Sequence, residues 1–224
     1  MQKGLAMITD EQKKTIITLS TLVDVKEKSG HFNRVYLVTE MVAKEMSKKA
    51  EFKDVLNDDY IEILKYAAML HDIGKISIAD SILFKPARFT PEERELMKRH
   101  VIVDEEVIGC IAELLNSREL SSTLIEIIEN HHENFDGSGY NKGIAGEEIP
   151  LSARIVAIAD VYDALRSKRP YKEAYSHSKT MKIIEKDRCI KFFPEVVDAL
   201  ESSAAEINEM YLEKKICKLN SQYN

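Results

Sequence analysis

Apolar residues recur at intervals of three and four along most of the chain, and that period builds helices rather than strands. Ile16, Leu19, Leu22 and Val23 mark a helix over about 9–28, with Thr9 as its cap and Glu11 following; Ser29-Gly30 interrupts it. Val35, Val38, Met41, Val42 and Met46 share one face of a second helix over about 32–48. A third spans about 58–71. Thr90-Pro91-Glu92-Glu93 is a strong helix start: a capping hydroxyl, proline at the first helical position, then acids at the positive end of the dipole. That helix is expected to reach about 115, with a bend midway. Further helices are expected from 121 or 122 to 131, over 151–165, over 178–186 and over 194–219.

With 8 glycines and 5 prolines in 224 residues, turns are too scarce for a β-sandwich. The segment 134–150 is the exception. It holds Gly137, Gly139, Gly143 and Gly146 and ends on Pro150, and a loop of that length inside a helical chain is usually functional or disordered. The fold class is therefore all-α. Residues 1–26 are expected to form an N-terminal helix packed on a catalytic unit comprising 27–224.

The charges narrow the function. Against 32 Lys and Arg stand 38 Asp and Glu, a net of −6, whereas proteins that coat DNA or RNA duplexes are normally basic. No apolar run approaches the ~20 residues of a membrane span, and the first residues lack a signal-peptide core. The expected location is cytoplasmic. Cys110, Cys189 and Cys217 are odd in number and widely spaced, which suggests neither a disulfide framework nor a zinc ribbon.

The histidines matter by their company. His71 is followed by Asp72 at the end of an apolar helix, and His131-His132 end another; each pair precedes a glycine-bearing loop. Adjacent helical residues diverge by ~100°, so one pair can serve two neighbouring ions, or supply one ligand and one supporting group. Imidazole with carboxylate suits iron, manganese, nickel or zinc. A lone histidine at a helix end is more often a capping group. Lys75 lies four residues after His71 and three after Asp72, so a continued helical turn would gather all three. A lysine there suggests an anionic ligand.

Six segments in order carry a resemblance: His71-Asp-Ile-Gly-Lys75, Ile82-Leu-Phe-Lys-Pro86, His131-His-Glu-Asn-Phe-Asp-Gly-Ser-Gly-Tyr140, Ile149 through Asp160, Asp163-Ala-Leu, and Arg169-Pro-Tyr-Lys172. The chain resembles the HD-GYP subgroup of the HD phosphohydrolase superfamily over about 27–200. The resemblance implies an HD-domain helical bundle with a metal site in its core. It implies two or three divalent ions, iron or manganese, held by Glu27, His31, His71, Asp72, His100, His131, His132 and Asp160. It implies hydrolysis of cyclic di-GMP to linear pGpG and on to GMP. Asp72 would bridge the ions and Lys75 would assist at the phosphate. Lys75, Tyr140, Arg169 and Lys172 would hold the substrate, with Arg166 and Lys168 adding local positive charge. His177 falls on no ligand position and reads as surface. Implied partners are the cyclic dinucleotide, a signalling protein docking through the Gly139-Tyr140 loop, and a second copy of the chain in a homodimer.

The chain departs from the family pattern in places. Asn141 stands where the family's tripeptide ends in proline, which suggests a more mobile loop. Val101 replaces a usual proline and Asp104 a usual glycine. Phe193 replaces a capping aspartate before Pro194. Gly137 to Gly143 weakly mimics a dinucleotide-binding pattern, but no strand precedes it, so a Rossmann reading is rejected. Two alternatives remain open: an HD-type phosphohydrolase for another nucleotide, such as a linear dinucleotide or cyclic GMP-AMP, and a weakly active module that senses cyclic di-GMP and docks a partner.

Overall fold

A computed structural model describes residues 8–24, 30–102, 104–168 and 173–212. Eleven α-helices and no strand occur among the described residues: α1 (Asp10–Asp24), α2 (His31–Met46), α3 (Asp58–Ala68), α4 (Asp80–Leu83), α5 (Pro91–Lys98), α6 (Glu105–Leu115), α7 (Arg118–Asn130), α8 (Leu151–Arg166), α9 (His177–Lys186), α10 (Pro194–Ser202) and α11 (Ala204–Leu212). Short 3₁₀ turns occupy Ile73–Ser77, Arg99–Val101 and Gly146–Glu148.

The core is built around α2, which packs against α3, α8 and α10. Of the apolar row read in the sequence, Val35, Val38, Val42 and Met46 are fully buried and Met41 is partly buried against them. α8 is buried on nearly every side, through Ala153, Ile155, Val156, Ile158, Ala159 and Tyr162. A helix apolar around its circumference belongs in the centre of a domain. α7 closes the other side by packing on α3 and α8. α1 sends Ile16 into the same core.

Local chemistry explains most helix starts. Thr90 and Glu93 exchange bonds in a complete capping box. Asn57 caps α3 by accepting from the amide of Tyr60, and Ser117 caps α7 by accepting from that of Leu120. Thr9 and Gln12 exchange bonds at the start of α1, so Gln12 rather than Glu11 completes that cap.

The helix expected over 90–115 with a bend midway is two separate helices. The chain tightens into a 3₁₀ turn at Arg99–Val101, and Ile102 is extended with φ −103° and ψ 102°. α7 begins at Arg118, not at 121 or 122, because Asn116 takes a left-handed conformation (φ 43°) and resets the chain. α3 ends at Ala68, short of His71, in tightened turns. The helix expected over 194–219 breaks after Ser202. Phe193 indeed makes no side-chain cap for α10. It packs edge-on against Phe135 and receives the Arg154 guanidinium 3.8 Å above its ring.

Candidate metal centre

Four parts of the chain bring their histidines together. α2 begins with His31, the turn after α3 carries His71 and Asp72, the 3₁₀ turn after α5 carries His100, and the end of α7 carries His131 and His132. Their rings form a contiguous chain: His31–His71 centroids are 5.3 Å apart, His71–His131 5.1 Å, His131–His132 4.1 Å and His100–His132 5.1 Å. His31, His71, Asp72, His100 and His131 are all buried.

Asp72 lies between two histidine groups. Its Oδ2 is 3.3 Å from His71 Nε2, and its Oδ1 is 3.3 Å from His100 Nε2 and 3.9 Å from His131 Nε2. Asp160 joins the first group, with Oδ1 3.4 Å from His31 Nε2 and 3.9 Å from His71 Nε2. The donor atoms fall into two sets: His31, His71 and Asp72, and His100, His131 and His132.

The histidines are held by their backs. His71 Nδ1 is 2.8 Å from the Ala68 carbonyl, His100 Nδ1 is 2.7 Å from that of Met97, and His131 Nδ1 is 2.9 Å from that of Ile127. A nitrogen facing a carbonyl carries the proton, so the Nε2 lone pair points inward. All three Nε2 atoms are buried without a hydrogen-bond partner. Buried polar atoms are nearly always paired, so three orphaned lone pairs around one carboxylate fit a cation. Imidazole nitrogen with carboxylate oxygen is a donor set for a divalent transition metal.

The electrostatics agree. Burial pushes the His131 imidazolium down to about 4 and holds His100 and His132 below the ordinary range, with neighbouring histidines adding to the effect. These three are neutral imidazoles near neutrality. At His71 burial works against the cation, but the charges of Asp72 and Asp160 outweigh it and its pKa rises. Burial would raise the Asp72 carboxyl, yet Lys75 and His71 hold it well below the usual range. Lys75 Nζ is 2.5 Å from Asp72 Oδ2. The expected gathering of Lys75 with the HD pair is therefore present, in a 3₁₀ turn instead of a continued α-helix.

Tyr140 also reaches this region. Its ring stacks on His132, with centroids 4.7 Å apart and planes at 26°, and its amide donates to the His132 carbonyl at 3.2 Å. Burial, then the charges of Asp72 and Asp160, raise its phenol. Gly139 permits the close return of the loop: a Cβ there would lie 2.4 Å from the amide nitrogen of Asn134 and 2.6 Å from the His132 carbonyl oxygen. The expected looseness at Asn141 is replaced by an anchor. Asn141 adopts φ 113°, closed to proline, and its side chain donates to the Glu129 carbonyl at 3.0 Å.

Other expectations fare differently. Glu27, Arg169 and Lys172 lie outside the described residues. Arg166 turns to α11, donating to Asn208 at 3.1 Å and lying 5.1 Å over the Tyr211 ring. Lys168 pairs with Glu173. His177 is half-buried rather than a surface residue, its Nδ1 2.8 Å from the Tyr162 hydroxyl. Asp163, Arg34, Tyr211 and Glu133 carry no role in the sequence motifs, yet all four are engaged around the site. Asp163 is buried against His31, Arg34 and Tyr211. Glu133 is buried and accepts from the amides of Lys142 and Gly143, fixing the glycine loop. The signal for Asp163 was its position one helical turn after Asp160.

Comparison with known proteins matches the HD domain over residues 12–196. A probable cyclic di-GMP phosphodiesterase of Vibrio cholerae is 38% identical over 197 residues, covering 84% of this chain and 43% of that protein. A 3′3′-cGAMP-specific phosphodiesterase of the same organism is 33% identical, covering 86% of this chain and 35% of that protein. The chain spans about half the length, or less, of the curated relatives it matches. Among solved structures, an HDG"Y"P protein from Bdellovibrio bacteriovorus superposes with a TM-score of 0.55 at 18% identity, over 89% of this chain and 60% of that one; it is similar in fold.

Proposed function

We propose that this chain, which belongs to the HD domain family and to its HD-GYP group, is a metal-dependent phosphodiesterase that hydrolyses cyclic di-GMP to linear pGpG and on to GMP. One observation carries the reading: the unpaired, buried Nε2 atoms of His71, His100 and His131 converge on Asp72. The family binds divalent metals. Here the ligands are read as His31, His71, Asp72 and Asp160 on one side and His100, His131 and His132 on the other, with two ions, iron or manganese, and a third if Glu27 joins them. Divalent cations held there supply Lewis acidity towards a phosphoryl oxygen and acidify water.

The chain's own groups do the rest. Asp72, kept ionised, presents one oxygen to each half of the site. The Lys75 ammonium places positive charge beside that carboxylate, where a scissile phosphate would accumulate charge in its transition state. Tyr140, backed by His132, offers a ring face and a protonated hydroxyl to the nucleotide. Arg169 and Lys172 are assigned to the phosphates. A net charge of −6 does not prevent binding of an anionic dinucleotide when the site is locally cationic. The catalytic unit is taken as 27–224 with 1–26 as an appended helix, and the location as cytoplasmic; no described helix is long and apolar enough to cross a membrane. A signalling protein at the Gly139-Tyr140 loop and a homodimer complete the reading.

The cGAMP-specific relative motivates a second reading, in which cyclic GMP-AMP is the preferred substrate. A panel of cyclic di-GMP, 3′3′-cGAMP and linear pGpG, assayed with Fe²⁺ or Mn²⁺ and with chelator, separates the two. Preferred, chelator-sensitive turnover of cyclic di-GMP supports the first; preferred turnover of cGAMP supports the second.

A further inference from the structure

His31 is oriented differently from the other buried histidines of the site. His71, His100 and His131 each turn Nδ1 to a carbonyl three or four residues earlier, so their own local backbone fixes their tautomer. His31 is the first residue of α2, so no earlier turn of that helix lies behind it. Its Nδ1 lies 2.7 Å from Asp163 Oδ2, on α8. Asp163 is buried and heavily bonded. Arg34 donates to both of its oxygens, Ser167 donates to Oδ2, and the Tyr211 hydroxyl on α11 donates to Oδ1 at 2.5 Å. A carboxylate in that setting only accepts, so His31 Nδ1 donates to Asp163, and Nε2 is turned towards Asp160.

We propose that Tyr211, acting through Asp163, positions His31 and thereby sets the affinity of one half of the metal site, His31–His71–Asp72, without affecting the other, His100–His131–His132. Tyr211 and Asp163 are positioning residues, and α11 thereby becomes part of the centre's support. The Tyr211 ring is itself held, 5.5 Å from Tyr162 and beneath the guanidinium groups of Arg34 and Arg166. Supporting groups that orient a metal-binding histidine are typically worth ~10–100-fold in affinity. The inference rests on the metal reading above and is independent of which nucleotide is hydrolysed.

The test is calorimetric titration of the chelator-stripped chain with Mn²⁺, without nucleotide. Tyr211→Phe keeps the ring and removes only the hydroxyl; Asp163→Asn keeps the shape and removes the charge. Both are expected to weaken one class of Mn²⁺ site, by ~10-fold and up to ~100-fold respectively, and to leave the second class at its wild-type affinity. His31→Ala is expected to affect the same class and His100→Ala the other. In a His31→Ala background, Asp163→Asn is expected to change Mn²⁺ binding no further, a non-additivity that general loosening of the fold would not produce. Wild-type Mn²⁺ affinities in both Tyr211→Phe and Asp163→Asn would overturn the proposal, as would full additivity with His31→Ala. A wild-type chain that takes up no Mn²⁺ overturns the metal reading itself and this inference with it. Normal Mn²⁺ binding without turnover of any cyclic dinucleotide overturns the functional reading alone.

Discussion

Gly74 lies directly against the backbone of His100: a Cβ on Gly74 would sit 1.9 Å from the His100 carbonyl oxygen and 2.8 Å from its carbonyl carbon. The turn that presents His71 and Asp72 therefore touches the turn that presents His100, and the two histidine groups share Asp72 because nothing larger than hydrogen separates their backbones. The glycine in His71-Asp-Ile-Gly-Lys75 sets the distance between the two halves of the centre.

Gly74→Ala is expected to displace the His100 turn, because the obstructing atoms are backbone and cannot rotate away. Overpacking of this kind costs ~1–3 kcal/mol. Urea denaturation should show that loss, and Mn²⁺ titration should show weaker binding in the His100–His131–His132 set. Unchanged stability and binding would mean that the two turns are not in contact.

Asn141→Pro is expected to destabilise the protein rather than stiffen its loop. Asn141 has φ 113°, proline is restricted to about −65°, and the Asn141 side-chain bond to the Glu129 carbonyl would be lost. Proline placed where the native φ is incompatible costs more than ~1 kcal/mol. A raised melting temperature in this variant would contradict the observed loop.

The extent to which this could be read from sequence follows the range of the interaction concerned. The Thr90–Glu93 capping box and the apolar row of α2 were legible because their partners lie within a turn or two. A bend between 90 and 115 was expected, but not a full break after Lys98, where the His100 turn lies against the Gly74 backbone, a tertiary contact that no local pattern announces. Five histidines could be nominated from the family motifs, and the structure brings all five together. The support of His31 could not be nominated: Asp163 lies 132 residues away in sequence, and Tyr211 a further 48. His177 failed as a surface residue for the same reason, since its Tyr162 partner sits on the central helix α8.

Acid is expected to destabilise the metal-free protein. The His131 imidazolium titrates at about 4 in the fold and near 6.5 in an unfolded chain. Between those values the unfolded state binds the extra proton, so stability falls as pH drops from about 6.5 to about 4. His100 and His132 shift the same way. His71 shifts oppositely: its contribution is full below 6.5 and fades as pH rises through its raised value. Three groups against one leave the net slope unfavourable in acid. Asp72 and Asp163 are depressed carboxylates whose contribution is lost only below about 3.9. Melting temperatures in chelator should therefore fall between about pH 7 and about pH 4.5; a flat or rising profile would mean these histidines are not buried as neutral groups.

His71→Ala and Asp72→Ala are expected to lower bound metal and to reduce turnover by more than ~10²-fold, since even supporting groups around a metal are worth ~10–100-fold. The helical content by circular dichroism should persist, because the core of α2, α3 and α8 is formed by other side chains. Retained hydrolysis in either variant would remove these residues from the site.

The central claim is tested most directly by turnover. The protein is purified without oxygen, supplied with Fe²⁺ or Mn²⁺, incubated with cyclic di-GMP, and its products are separated by chromatography. pGpG or GMP is expected to appear and to vanish when a chelator is added. Stoichiometric bound metal with intact cyclic di-GMP would contradict the claim.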